Sequence, residues 1–221
     1  MIIGLGRKVG DMKVVLFNGS PKRAGTTARA LTEVSSQIEA ADIETQTIQL
    51  GSKPVRGCVA CGKCWKNGGR CHYDDDVCNQ LIEAAASADG FIFGSPVYFA
   101  SANGAACAVL DRAFYASSHF TGKPGAAIVA CRRGGGSAAF DRLNKYFTFA
   151  QMPVVSSNYW NIVHGNNAEE LEQDAEGLQT MRVLGRNMAQ ALKLLEVGKS
   201  SAGLEMPSPA TEDRIWTNFV R

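Results

Sequence analysis

The residues best suited to chemistry near the amino terminus follow a short apolar segment. Residues 13–17 end in four consecutive apolar side chains, and the next ten residues are Asn-Gly-Ser-Pro-Lys-Arg-Ala-Gly-Thr-Thr. Ser20, Thr26 and Thr27 supply hydroxyls, Lys22 supplies a positive charge, and a helical pattern begins directly afterwards. Because a helix N-terminus presents unpaired N–H groups and a positive dipole, this loop predicts a phosphate site. The alternative is a plain strand–helix turn in which Thr26 or Thr27 caps the helix.

Two familiar nucleotide-binding loops are excluded by spacing. Gly19 and Gly25 enclose five residues, and threonine rather than lysine follows Gly25, unlike the phosphate loop of nucleoside-triphosphate-binding proteins. The dinucleotide fingerprint G-x-G-x-x-G is also absent from this turn. The phosphate therefore belongs to another class of ligand.

Two later loops also have compositions that suit a ligand. Pro96, Val97, Tyr98 and Phe99 follow a buried strand pattern and offer a stiff backbone with aromatic rings, which suits a flat heterocycle. The alternative is a turn whose aromatic rings pack in the core.

The other loop, residues 131–136, contains Arg132 and Arg133 followed by three glycines, among them Gly134 and Gly135. Glycines allow close backbone approach, and N–H groups there can bond the polar edge of a heterocycle. The alternative is a flexible surface loop with solvated arginines. A phosphate, a sugar-like chain and a flat heterocycle, taken together over the three loops, describe FMN.

Four of the seven cysteines lie in one short segment, residues 57–71, which we call the cysteine loop. Their spacing is Cys58-x2-Cys61-x2-Cys64-x6-Cys71. Three cysteines two residues apart are typical of the start of a ferredoxin cluster loop, although no proline follows the fourth. Zinc sites more often use two separate C-x2-C pairs. An iron–sulfur cluster, zinc and unligated thiols all remain open, and Lys63, Lys66 and Arg70 make the loop basic.

Composition limits the function classes. The chain has 221 residues, 45% hydrophobic content and a formal net charge of +2. That length suits one α/β domain, and no basic run is long enough to suggest nucleic-acid binding. No apolar run reaches the roughly 20 residues that cross a bilayer. Seven cysteines without an export signal favour a reducing compartment, so we expect a cytoplasmic protein.

Strand and helix patterns alternate along the chain, which predicts a doubly wound parallel sheet of five strands in the order 2-1-3-4-5, with three layers. The predicted strands are residues 13–17, 44–50, 90–94, 124–130 and 152–159. The predicted helices are residues 27–40, 77–87, 105–117, 137–149 and 168–197, the last with Gly177 and Gly185 as candidate breaks. Asp74, Asp75 and Asp76 are interpreted as dipole partners at a helix N-terminus rather than metal ligands. In this order, the first, third and fourth strands are neighbours, so topology predicts that one ligand spans the three unusual loops.

The predicted domain occupies residues 12–200 and includes the cysteine loop. Residues 1–11 are predicted to be an N-terminal extension, with Met12 as an alternative natural start. Residues 201–221 are predicted to be a C-terminal tail, extended from residue 207 and able to dock on a partner subunit.

Three motifs in this order resemble the NAD(P)H-dependent FMN reductase and iron-sulfur flavoprotein group of flavodoxin-like proteins. They are Asn18-Gly19-Ser20-Pro21-Lys22 with Gly25-Thr26-Thr27, Gly94-Ser95-Pro96-Val97-Tyr98-Phe99, and Arg133-Gly134-Gly135-Gly136. The resemblance implies a flavodoxin-like fold and non-covalent FMN, with the phosphate at the first motif and the ring between the other two. It also implies a homodimer or homotetramer. The cysteine spacing is similar to the compact [4Fe–4S] loop of iron-sulfur flavoproteins.

The resulting hypothesis is an FMN-dependent oxidoreductase that transfers electrons from NAD(P)H to a quinone, nitro or azo compound. A basic loop beside the flavin is unlike the acidic electron-carrier flavodoxins and favours two-electron hydride chemistry. No general base is identifiable, and none is required. One alternative is an iron-sulfur flavoprotein that exchanges electrons with ferredoxin-like partners. Another is a flavin-binding regulatory module without turnover.

Overall fold

A computed structural model describes residues 11–206 together with Ile215 and Thr217. Most of the predicted extension lies outside these residues, and so does most of the tail segment predicted to dock on a partner. The strands are β1 (Lys13–Asn18), β2 (Glu44–Gln49), β3 (Gly90–Tyr98), β4 (Ser101–Ala102), β5 (Gly125–Cys131) and β6 (Ile162–His164). The α-helices are α1 (Thr26–Glu39), α2 (Cys78–Ser87), α3 (Gly104–Ala116), α4 (Gly136–Phe149), α5 (Ala168–Leu171) and α6 (Ala175–Ala202), with a 3-10 turn at Lys63–Lys66. Within this part of the chain, no helix combines the length and apolar character needed to cross a membrane.

The sheet has the predicted topology. Its five parallel strands lie in the order β2-β1-β3-β5-β6, which is the second, first, third, fourth and fifth parallel strand along the chain. Val15 of β1 pairs with Gln46 on one side and with Phe91 on the other. The predicted doubly wound, flavodoxin-like order is therefore confirmed.

Helices cover both faces of the sheet and give three layers. Alternate residues of a strand point to opposite faces, so Val14 and Leu16 pack with α1 and α6, whereas Val15 and Phe17 pack with α2, α3 and α4. All four side chains are fully buried. This burial explains why β1 is apolar throughout instead of alternating.

The position predicted for the fifth strand is wrong. Within residues 152–159, only Val154 forms a bridge, with Gly125, and the strand itself is β6 at Ile162–His164. The buried Asn161 side chain donates from Nδ2 to the carbonyl of Ala127 over 2.9 Å, so this β5 acceptor is bonded to a side chain rather than to a strand. The chain between Val155 and Asn161 therefore leaves the sheet and returns.

The carboxyl-terminal helix breaks at a different place from the predicted one. The break lies at residues 172–174, and both Gly177 and Gly185 lie inside the continuous helix α6. Asp174 accepts from the N–H of Gly177 over 2.9 Å and starts the helix. Gly185 has a packing role, because a Cβ there would lie only 2.5 Å from the carbonyl oxygen of Val34 on α1.

Two alanine substitutions in α6 test this close crossing of α1 and α6. Gly185→Ala should lower the free energy of unfolding by about 1–3 kcal/mol, because the new methyl group meets backbone. Gly198→Ala, where the nearest atom would be 3.9 Å away, should instead raise it by up to about 1 kcal/mol through helix propensity. Urea unfolding followed by circular dichroism measures both. Equal stabilisation by the two substitutions would contradict the close crossing.

Candidate functional site

The three predicted ligand loops meet at one edge of the sheet. They follow the carboxyl ends of β1, β3 and β5, which are adjacent parallel strands. The N–H of Gly19 donates to the carbonyl of Gly94 over 2.8 Å, which joins the first loop to β3. Gly135 packs so tightly on the β3–β4 turn that a Cβ there would lie 2.7 Å from the Cα of Ala100. Open α/β sheets bind ligands at such an edge.

The first loop is held by two amide side chains that the sequence did not single out. Asn18 Oδ1 accepts from the N–H of Ser20 over 3.1 Å, and Gln49 Nε2 donates to the Ser20 carbonyl over 2.7 Å. The buried Ser20 hydroxyl accepts from the N–H of Lys22 over 3.2 Å. Among the described residues, its proton has no acceptor, so it is available to an oxyanion.

The N-terminus of α1 is open to an anion. Gly25 is the N-cap residue, no side chain of the described chain caps this end, and the first turn contains no acidic residue. The alternative in which a threonine caps the helix is therefore wrong. Thr26 and Thr27 are buried in the first turn, and Thr26 Oγ1 donates to the carbonyl of Gly165 over 3.3 Å. Free N–H groups, a positive dipole and the Ser20 hydroxyl fit a phosphate, and the Lys22 side chain is exposed nearby in sequence.

The second predicted loop is a β-hairpin. Pro96, Val97 and Tyr98 continue β3, and Val97 and Tyr98 pair antiparallel with β4. Phe99 and Ala100 form the turn at φ values of +49° and +58°, as in a type I′ hairpin turn. Left-handed backbone costs non-glycine residues roughly 1–2 kcal/mol each.

The aromatic rings of this hairpin point away from the core. Phe99 is fully exposed and Tyr98 is 45% exposed, which excludes the alternative of core packing. Pro96 and Val97 are half-buried at the base. An exposed ring held on a strained turn is typical of a ligand-covering element.

Asn103 connects this hairpin to the first loop. Its Nδ2 donates to the carbonyl of Gly19 over 2.8 Å, and its Oδ1 accepts from the N–H of Ala105 over 3.1 Å at the start of α3. Its own N–H donates to Ser95 Oγ over 2.9 Å. An asparagine just before a helical pattern is a recognisable N-cap signal, although the contact with Gly19 is not visible in the sequence.

The third loop exposes both of its cations. The side chains of Arg132 and Arg133 are exposed, and a Cβ on Gly134 would meet open space. Gly135 has a φ of +85°, which explains the need for glycine. Arg133, Gly134 and Gly135 also line a cavity of about 320 Å³, together with residues of α4, β6 and the start of α6. Its lining includes the aromatic pair Tyr159 and Trp160. Trp160 lies just before β6 and is 56% exposed.

The four cysteines of the cysteine loop line a single small hollow, together with apolar and aromatic side chains. The hollow also includes Val59, Gly62, His72, Tyr73, Arg112, Tyr115 and Ala116. Trp65 stacks on Tyr115 at a centroid distance of 5.5 Å beside it.

The donor set of this hollow includes four thiols, which ligate both iron–sulfur clusters and zinc. Among the described residues, no three metal-binding side chains are arranged to hold a metal ion. In a four-iron cluster, each cysteine sulfur can bind a different iron, so the sulfurs surround a larger centre. Four thiols around one apolar hollow whose lining contains no carboxylate fit that chemistry.

The acidic run before α2 has two roles. Of the three aspartates predicted to be dipole partners, Asp76 bonds the start of the helix: its Oδ1 accepts from the N–H of Cys78 over 3.0 Å. Asp74 instead pairs with Arg70, and the first turn of α2 contains no acidic residue. Asp76 also forms a buried ion pair with Arg112 on α3. The sequence reasoning missed this arginine, although its spacing from Val109 in an apolar helix places it on the buried face.

The remaining cysteines are packed thiols. Burial raises the pKa of Cys78 to about 12, so this thiol stays protonated near neutral pH. Burial also raises the pKa values of Cys107 and Cys131, and the charge of Asp174 adds to the effect at Cys131.

Comparison with known proteins agrees with this architecture. The family model described as NADPH-dependent FMN reductase matches residues 12–167. An iron-sulfur flavoprotein of Methanocaldococcus jannaschii is 31% identical over 194 residues, covering 84% of this chain and 100% of that protein. An iron-sulfur flavoprotein of Methanosarcina thermophila is 27% identical over 191 residues, covering 84% and 97%.

Among solved structures, a flavodoxin from the domain Archaea superposes with a TM-score of 0.55 at 14% identity. The superposition covers 82% of this chain and 99% of the flavodoxin chain. This likeness shows the fold. With the family match over most of its length, the chain belongs to the NADPH-dependent FMN reductase family.

Proposed function

We propose that the chain is an FMN-dependent oxidoreductase that takes electrons from NADH or NADPH and passes them to a small quinone, nitro or azo compound. The observation that carries this proposal is the meeting of three ligand loops at one sheet edge, with an uncapped helix N-terminus among them. Family membership supports FMN as the ligand. Bound FMN would supply the ring that accepts hydride, while the protein supplies binding, orientation and charge.

The first loop would bind the phosphate. The N–H groups at the start of α1 and the free proton of the Ser20 hydroxyl offer hydrogen bonds, and Lys22 offers a charge. Thr26 and Thr27 would border the phosphate from the first helical turn, and Gly25 lets the phosphate approach the backbone.

The hairpin and the third loop would border the ring. Pro96, Val97, Tyr98 and Phe99 would border the ring. Arg132, Arg133, Gly134 and Gly135 would border it from the adjoining third loop, which packs on the hairpin at Gly135. The arginines place positive charge at the site, which favours reduced, negatively charged states of the ligand. The cavity beyond the third loop offers room for an acceptor with an aromatic ring.

The hollow in the cysteine loop favours a second candidate function, an iron-sulfur flavoprotein that exchanges electrons with a ferredoxin-like protein. Cys58, Cys61, Cys64 and Cys71 would ligate a [4Fe–4S] cluster. The names of the two archaeal relatives support this candidate. We also propose that the protein is cytoplasmic, because all seven of its cysteines are unpaired thiols. We further propose that it forms a homodimer or homotetramer.

Turnover separates these candidates. Full-length protein, purified anaerobically and loaded with FMN, should oxidise NADH or NADPH in the presence of a quinone, at a rate that depends on bound FMN. Iron and sulfide analysis of the same sample tests the cluster. Tight FMN binding with iron and sulfide but no nicotinamide oxidation would favour the carrier, and FMN binding with neither would favour a regulatory module.

Ser20→Ala tests the phosphate site. Loss of a hydrogen bond to a charged group costs about 1.5–3 kcal/mol, so the Kd for FMN should rise roughly 10- to 100-fold. Quenching of FMN fluorescence measures this. The matched control, Ser36→Ala, changes an exposed serine near the carboxyl end of α1, away from the loop, and should leave the Kd unchanged.

Riboflavin, which lacks the phosphate, makes this test specific. Ser20→Ala should leave riboflavin affinity unchanged. A variant that loses affinity for FMN and riboflavin equally would show that Ser20 does not act through the phosphate.

Gly135→Ala tests the contact between the third loop and the hairpin. A left-handed alanine is strained by roughly 1–2 kcal/mol, and its methyl group would displace the backbone at Ala100. We expect a lower melting temperature and about tenfold weaker FMN binding. Gly134→Ala, which meets open space, should change the stability by less than about 0.5 kcal/mol. Equal effects of both substitutions would contradict this role of the contact.

A further inference from the structure

A buried arginine lies beneath the cysteine loop. Arg112 belongs to α3 and is 2% exposed, in a helix whose other inward residues are apolar. Removing a charge from water costs several kcal/mol unless the charge is paired. Its environment must therefore supply compensating partners.

Arg112 connects both ends of the cysteine loop. Its guanidinium pairs with the equally buried Asp76. Nη1 donates to the carbonyl of Arg56, just before the loop, over 3.2 Å, and Nη2 donates to the carbonyl of Tyr73, just after it, over 2.9 Å. These contacts close the loop over the hollow.

The Nε donor of Arg112 points at a cysteine of the quartet. Nε of Arg112 lies 3.2 Å from Cys71 Sγ. A neutral thiol is a weak acceptor, whereas a hydrogen bond between ionised groups is about twice as strong as a neutral one. The contact therefore gains strength when Cys71 is a thiolate, as it must be when it binds iron. Asp76 already neutralises the arginine, so this donor is not needed for charge balance.

We propose that Arg112 is a positioning residue of the cysteine quartet, which closes the loop around a [4Fe–4S] cluster and raises the reduction potential of that cluster through its hydrogen bond to Cys71. Hydrogen bonds to ligand sulfurs are one of the determinants of cluster potential, because they withdraw electron density from the sulfur. The inference rests on the second candidate function, in which the quartet holds a cluster.

Three variants of the full chain test this role. Arg112→Lys keeps a charge opposite Asp76 but loses the planar fork. The double variant Arg112→Met with Asp76→Asn removes both buried charges together, so no unpaired charge remains in the core. The matched control is Arg70→Gln, which removes a cation of the same loop whose ion pairs, with Asp74 and Glu83, are exposed.

Each protein is purified anaerobically and reconstituted with ferrous iron and sulfide. Loss of the cluster to a chelator is followed by absorption, and the reduced cluster is titrated by electron paramagnetic resonance. FMN affinity and the melting temperature before reconstitution report whether each variant is folded. Both Arg112 variants should lose the cluster about tenfold faster, since residues behind metal ligands typically contribute 10- to 100-fold.

At a fixed potential, the ratio of reduced to oxidised cluster should fall about tenfold in both Arg112 variants, which corresponds to about 59 mV for one electron. Arg70→Gln should stay within about twofold of the wild type on both measures. Folded Arg112 variants that match the wild type, or an Arg70 variant with the same shift, would overturn the inference alone. Wild-type protein that takes up no iron and sulfide would overturn the cluster proposal and this inference together.

Discussion

The backbones of β1 and β3 approach each other at Gly19 and Gly94 more closely than a side chain would allow. A Cβ on Gly19 would lie 2.7 Å from the Gly94 carbonyl oxygen and 2.8 Å from Ala106 Cβ. The N–H of Gly19 donates to that same carbonyl. This contact fixes the point where the first loop leaves the sheet. Asn103, just after the hairpin, donates to the carbonyl of Gly19, and Gly135 of the third loop packs on the turn of the hairpin. A series of contacts therefore joins the three loops along this edge.

Buried asparagines hold the loops, whose backbone groups have no neighbouring strand to bond with. Four of them are at most 7% exposed: Asn18, Asn79, Asn103 and Asn161. An amide side chain both donates and accepts, so it can replace the neighbouring strand that a loop lacks. Asn79, for example, accepts from the N–H of Cys71 over 2.8 Å and donates to its carbonyl over 3.0 Å, which holds the end of the cysteine loop. A buried backbone group left without such a partner costs about 1–3 kcal/mol, so these amide side chains stabilise the loop conformations.

The sequence predicted most of the regular structure because apolar periodicity is a local property. The helices from α1 to α4 begin and end within one or two residues of the predicted positions, and the strand order is as predicted. The errors lie where a distant partner decides the outcome. Ser95 and Pro96 suggested a turn, but both pair with β5 and remain in the sheet. Val97 and Tyr98 then pair with β4, which extends β3 into a hairpin. Asn161 similarly binds an acceptor of β5 and moves the edge strand towards the carboxyl terminus.

By itself, the sequence determined which side chains could bind a phosphate, border a flat ring or ligate iron, since hydroxyls, glycines, cations and thiols carry that chemistry wherever they lie. It also determined the sheet order that places three loops at one edge. Only the tertiary structure decided which groups hold those loops. Asn103 and Gly19 are 84 positions apart, and Arg112 and Cys71 are 41 positions apart. Such contacts arise from the packing of whole helices on the sheet, so a buried arginine looks in the sequence like one cation among many, and the folded core alone shows that it lies beneath the cysteine loop.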